Sequence, residues 1–206
     1  MWLRFRYTET RSAAVLRQLI ACGDVSNSTV SATMMISVLA AATAIIIFAY
    51  TMVYAALTDL LTRKIRNSLV LLFLLAYAGL APLAGFSASE IMWSVAVAFA
   101  VLLFAFALFA LGLLGGGDAK LAAVTALWFG ADHTPAYLIC TMLLGGAFAL
   151  AILLFRRLPL PAVVRSRSWV AQLHCPGTGM PYGVTMALAA LVVFPATRWV
   201  STVLGV

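Results

Sequence analysis

Charge is scarce in this chain: of 206 residues only 13 are Lys or Arg and six are Asp or Glu, 9% in all. A soluble globular domain carries about 25%, so that class is excluded. Cysteine is scarce as well. Cys22, Cys140 and Cys175 are odd in number and have no CxxC spacing, which argues against a paired disulfide framework and against a cysteine zinc site. The histidines, His133 and His174, have no neighbouring ligands at metal spacing; they read as loop residues, and neither a metal nor another cofactor is expected. The first 33 residues hold four arginines and no apolar run long enough for a cleavable signal.

What the chain has instead is hydrophobic residues, 65% of the total. They come in blocks about 20 residues long, as helices crossing a bilayer about 30 Å thick require, and not in the alternating ten-residue strands of an outer-membrane barrel. The fold class expected is all-α, a polytopic membrane bundle of about six helices. The blocks run from Ser37 to Leu57, Ser68 to Leu83, Ile91 to Leu114, Asp118 to Gly130, Ala136 to Phe155 and Tyr182 to Leu204. Asn67 or Ser68 is placed to cap the second. The fourth is about 20 Å long, too short to cross alone unless its start lies inside the membrane or is buried by neighbours. Gly145, Gly146 and Ala149 offer a small-residue packing face, and Trp93, Trp128 and Trp199 read as anchors at the membrane interface. Residues 36–206 form the membrane domain. Residues 1–35 form a basic tail, disordered or lying on the surface, or else residues ahead of a start at Met34 or Met35.

The net charge of +7 sits beside the apolar blocks, as topology signals do, so nucleic acid is not an expected partner. Alternating the loops puts Arg63, Lys64, Arg66, Lys120, Arg156, Arg157, Arg165 and Arg167 on one side and only Glu90 and Asp132 on the other. The first side is then cytoplasmic. The arginines of the tail and Arg198 run against this scheme.

Asp59 and Asp118 fall on that cytoplasmic side, flush with helix ends. An isolated charge at the bilayer centre costs roughly 2.5–3.5 kcal/mol on insertion scales, so a carboxylate here calls for a use. Two carboxyls in a poorly solvated site share a proton. The charged member can take a proton from water while the protonated one polarises a scissile carbonyl, which suits peptide hydrolysis. Gly115, Gly116 and Gly117, lacking Cβ atoms and free to adopt positive φ, can approach an extended substrate closely. Lys120, two positions from Asp118, does not share its helix face; it snorkels to the interface, tunes the pair or orients the loop. Arg63, Lys64 and Arg66 read as orientation signals and contacts to anionic membrane lipids.

These residues resemble the type IV prepilin peptidases, membrane aspartic proteases with a GxGD motif. Gly115-Gly116-Gly117-Asp118-Ala119-Lys120-Leu121 matches the form GxGDxKL, and Trp128-Phe129-Gly130 follows at a similar distance. Asp59, Arg63, Ile65 and Asn67 match the first-aspartate segment, in which Arg66 replaces a proline; Met180-Pro181-Tyr182-Gly183 is similar to the entry of the family's last span. The resemblance covers about residues 36 to 200, without the paired CxxC motifs of the longer methylating members. It implies the short, peptidase-only form associated with tight-adherence (Flp) pili, in a bacterial inner membrane, with a prepilin as substrate and the pilus assembly machinery as a possible partner. It further implies Asp59 and Asp118 as catalytic residues, with Gly115, Gly116, Gly117, Lys120 and Asn67 shaping the site. Small proton- or ion-coupled transport through the carboxylates is the alternative from another class, and a structural subunit of a pilus or secretion assembly is a third.

Overall fold

The structure is a computed structural model that describes residues 2–157, 170, 174 and 180–205, with side chains from Val30 onward. Arg165, Arg167 and Cys175 lie outside the described residues. The described residues form helices α1 (Trp2–Thr62), α2 (Asn67–Leu83), α3 (Ala88–Ala110), α4 (Gly116–Arg157), α5 (Tyr182–Val193) and α6 (Arg198–Leu204), with a 3-10 turn at Phe194–Ala196. Among the described residues three stretches are long and apolar enough to cross a membrane by themselves: Val30–Thr62, Ala88–Ala110 and Gly116–Arg157. A fourth arises if α5 and α6, bent by 43°, are taken as one broken span. The outer surface is correspondingly apolar, with Leu75 60%, Phe99 59% and Phe106 59% exposed. The chain is a membrane protein.

Helix α4 is not straight. At Gly130 the backbone takes φ 64° and ψ −166°, a conformation open essentially to glycine alone. Thr134 Oγ1 donates to the carbonyls of Ala126 and Gly130, and the rings of Phe129 and Tyr137 stack with centroids 5.0 Å apart. Residues eight apart on a straight helix stand about 12 Å apart along the axis. The chain therefore doubles back at Gly130 into two arms that pack on each other. The sequence places the boundary between its fourth and fifth blocks at the same glycine.

The interior combines small residues with one aromatic cluster. Ala40, Ala41, Ala44 and Ala55 on α1 are buried, and α1 packs against α2, α5 and α6 while α3 and α5 cover α4. Close helix approach through small side chains is the usual packing mode in lipid, where no hydrophobic effect pushes helices together. Phe48 stacks on Phe194 and Phe73 on Trp128, and Trp128 leans on Trp199. Trp128 and Trp199, expected at the membrane interface, are instead 2% and 0% exposed. Their indole N–H groups donate to the carbonyls of Phe73 and Trp128, which satisfies each donor inside the bundle. Trp93 does lie on the surface.

Two further expectations are corrected. The last block is not one helix: Pro195 falls in the 3-10 turn and Thr197 is extended, because proline cannot donate to the preceding turn of an α-helix. At the start of α2, Arg66 stands in extended conformation at the cap position without a side-chain cap, and the Asn67 side chain is used elsewhere. By contrast α3, expected from Ile91, begins earlier at Ala88, where Ser87 and Glu90 form a reciprocal capping box.

Candidate active site

Asp118 is the third residue of α4, one turn from the helix start. From there its carboxylate reaches back to the backbone of Gly115, the arrangement in which an acidic side chain satisfies an open N–H at a helix N-terminus. A Cβ on Gly115 would stand 2.8 Å from Asp118 Oδ2, so the glycine makes room for the carboxylate. Neighbouring positions are occupied by protein: a Cβ on Gly116 would meet the Phe109 ring at 3.3 Å, and one on Gly117 would meet Ile65 at 3.2 Å. None of the three has positive φ; the left-handed glycine at this end is Gly112. Gly117 thus lets the loop after α1 close over the start of α4.

That closure carries Asp59, near the end of α1, into the same region. Asp59 is 5% exposed and Asp118 9%, and the charge on Asp59 is close enough to act on Asp118. A carboxylate near a helix C-terminus is poorly placed with respect to its own helix dipole. Asp59 compensates by serving another helix. It accepts the Gly183 N–H at 2.7 Å, and the backbone of Val184 also contributes. It therefore caps the first turn of α5, where Pro181 has no side-chain cap of its own. Arg63, in a left-handed conformation at φ 53°, brings its positive charge to bear on Asp59.

Lys120 Nζ donates to Asn67 Oδ1 at 3.0 Å. The two site-shaping residues expected from the sequence are thus joined, and they tie the start of α2 to the first arm of α4. Gly183 is the residue that sequence reasoning did not assign. A Cβ there would lie 2.8 to 2.9 Å from Asp59 Oδ2, Cβ and Cγ. The signal was the Pro-Tyr-Gly segment, whose contact with Asp59 bridges 124 positions and cannot be read locally.

The architecture defines a class: a helical membrane protein with two buried carboxyl groups brought together from different helices, each held by backbone groups at a helix N-terminus. A model of the type IV leader peptidase family matches residues 46–150, a stretch that contains both aspartates. The chain belongs to that family and is a leader peptidase of the membrane, a result that favours peptide hydrolysis over the transport alternative. No curated protein and no solved structure matches the chain.

Proposed function

We propose that Asp59 and Asp118 are the catalytic dyad of a GxGD aspartic endopeptidase that removes the basic leader of a type IV, Flp-like prepilin at the cytoplasmic face of a bacterial inner membrane. The observation that carries this reading is the burial of both carboxyl groups, with Asp118 within reach of the charge on Asp59. Sharing one proton, such a pair activates water with one member and polarises the scissile carbonyl with the other; the proton then passes to the leaving amine. Gly115, Gly116, Gly117, Lys120 and Asn67 shape the site, with Lys120 and Asn67 holding the loops that frame it.

The orientation rests on charge. Arg63, Lys64, Arg66 and Lys120 lie at the dyad's end of the bundle, and Arg156 and Arg157 close α4; positive residues stay cytoplasmic. On this reading the two arms of α4 are separate spans and α5 with α6 is one, which with α1, α2 and α3 makes six in residues 36–206. Membrane lipids surround this domain, and the prepilin and pilus assembly machinery are its proposed partners.

The test is cleavage of a co-expressed prepilin by Asp59→Asn and Asp118→Asn. Asparagine keeps an acceptor oxygen for the Gly183 and Gly115 backbones, so each variant should insert normally and cleave nothing detectable on an immunoblot. Appreciable cleavage by either variant would contradict the dyad.

A further inference from the structure

The cations that follow α1 do not share one task. Arg63 acts on Asp59, whereas Arg66 lines a cavity of about 350 Å³ between α1 and α2. Successive residues here alternate in what they meet: Ile65 packs over Gly117 and Asn67 accepts from Lys120, while Arg66 and Ser68 both line the cavity. The backbone at Arg66, φ −72° and ψ 133°, lies in the extended region open to nearly any residue, so the turn itself does not call for an arginine. The Arg66 guanidinium and the Ser68 hydroxyl make no hydrogen bond or ion pair among the described residues. Asp59, the nearest acid along the chain, is already engaged by the Gly183 N–H and by the charge on Arg63.

Tyr50 and Tyr54, one turn apart on α1 with ring centroids 6.1 Å apart, line the same cavity. Its polar side chains are thus a guanidinium and three hydroxyls, with no carboxylate in the wall. Such a wall suits an anion with several acceptor oxygens, and a guanidinium matches phosphate in bidentate geometry. Tyr50 and Leu72 also line a second cavity of about 460 Å³, walled further by Ile46, Ile47, Leu75 and Ala76. The two share that wall and form one groove, which from Ser68 to Ala76 runs about 12 Å along α2. Its cationic end lies where the helices end, and its apolar end lies deeper in the span, the order in which a bilayer arranges headgroups and chains. Elsewhere the pattern differs: the cavity beside Trp93 carries Glu90 and Asp132, and the one beside Tyr137 has no charged residue in its wall.

We propose that this groove binds one anionic phospholipid, with its phosphate on Arg66 and Ser68 and an acyl chain along Ile46, Leu72 and Leu75. Charge complementarity selects the occupant. The polar end offers a cation without an acidic partner and hydroxyl donors beside it, and it has no carboxylate to receive the ammonium group of a zwitterionic headgroup. A soluble phosphate would satisfy the donors but leave the apolar length uncovered. Because Ile65 and Asn67, on either side of Arg66, hold the start of α4, a headgroup bound at Arg66 braces the loop between α1 and α2. The site goes beyond the peptidase reading and does not depend on the dyad.

The test follows the thermal unfolding midpoint of the full-length protein in detergent while dioleoyl phosphatidylglycerol is titrated in, since a ligand that binds the folded state raises the midpoint. The wild-type midpoint should rise, with about tenfold more dioleoyl phosphatidylcholine needed for the same rise; inorganic phosphate should produce none. Arg66→Gln, at an exposed position, should raise the phosphatidylglycerol requirement about tenfold, and Ser68→Ala should shift it in the same direction. Ala76→Leu, which narrows the apolar half without changing charge, should raise it several-fold. Lys64→Gln removes the same charge from the same loop but lines neither cavity, and should stay within about twofold of wild type. Equal losses in Lys64→Gln and Arg66→Gln would show a diffuse surface charge and overturn the site. Wild-type titration by both Arg66→Gln and Ser68→Ala, by Ala76→Leu, or an equal response to phosphatidylcholine or inorganic phosphate, would overturn it as well.

Discussion

Asp59 and Asp118 are each held by backbone at the start of a helix, and in each case a glycine makes the contact sterically possible. The glycine opposite Asp59 is the sharper constraint, because a Cβ there would meet Oδ2, Cβ and Cγ of Asp59 all at 2.8 to 2.9 Å, whereas on Gly115 it would meet only Asp118 Oδ2 that closely. Gly183→Ala should therefore push Asp59 out of register; a displacement near 1 Å at a catalytic group costs about 100-fold in rate. Gly146→Ala, with nothing within 4 Å of its added methyl, should leave the rate within about twofold. Cleavage per unit of inserted protein separates the two. In the sequence the two aspartates stand out because an acidic residue in so apolar a chain needs a reason, and Lys120 and Asn67 because they match the family's motifs. What the sequence left open was how they meet. Lys120 and Asn67 are 53 positions apart, and only the packing of α2 on α4 brings the amide under the ammonium group.

The helices themselves were legible as apolar blocks, and their irregularities follow from identifiable residues. Gly130 turns α4 back on itself, and its conformation forbids a side chain. Gly130→Ala would also place a Cβ 3.1 Å from Ser94 Oγ. The variant should be destabilised by about 1–3 kcal/mol, seen as a lower unfolding midpoint in detergent. Gly79→Ala, in the interior of α2 with open space around it, should raise stability by about 0.5–1 kcal/mol. Trp128 and Trp199 lie inside the bundle for a physical reason that their place in the sequence does not reveal. Proximity to a span end does not distinguish an interfacial indole from one turned inward, and the carbonyls that accept from Trp128 and Trp199 come from distant segments. The break before α6 was likewise signalled by Pro195, which an apolar run from Tyr182 to Leu204 conceals.

Viewed whole, the bundle is apolar outside, small and aromatic inside, and carries its paired carboxyls at one end. The Arg198 and Glu90 ion pair, with Arg198 also over the Phe86 ring, joins the start of α3 to the start of α6. This gives Arg198 a structural partner. If the dyad faces the cytoplasm, residues 63–66 lie inside and residues 131–133 outside. In a variant with the native cysteines removed, Asp132→Cys should react with an impermeant thiol reagent added to intact cells. Lys64→Cys should react only after the cells are opened. The reverse pattern would invert the orientation.

The central claim is that Asp59 and Asp118 act as one unit, and a double-mutant comparison addresses it most directly. Single-turnover cleavage of a prepilin would be measured for Asp59→Asn, Asp118→Asn and the double variant, with each confirmed as inserted. Residues that work as a unit are strongly non-additive, so each single variant should fall to the same residual rate as the double. Appreciable cleavage by either single variant, or losses that simply multiply in the double, would contradict the account.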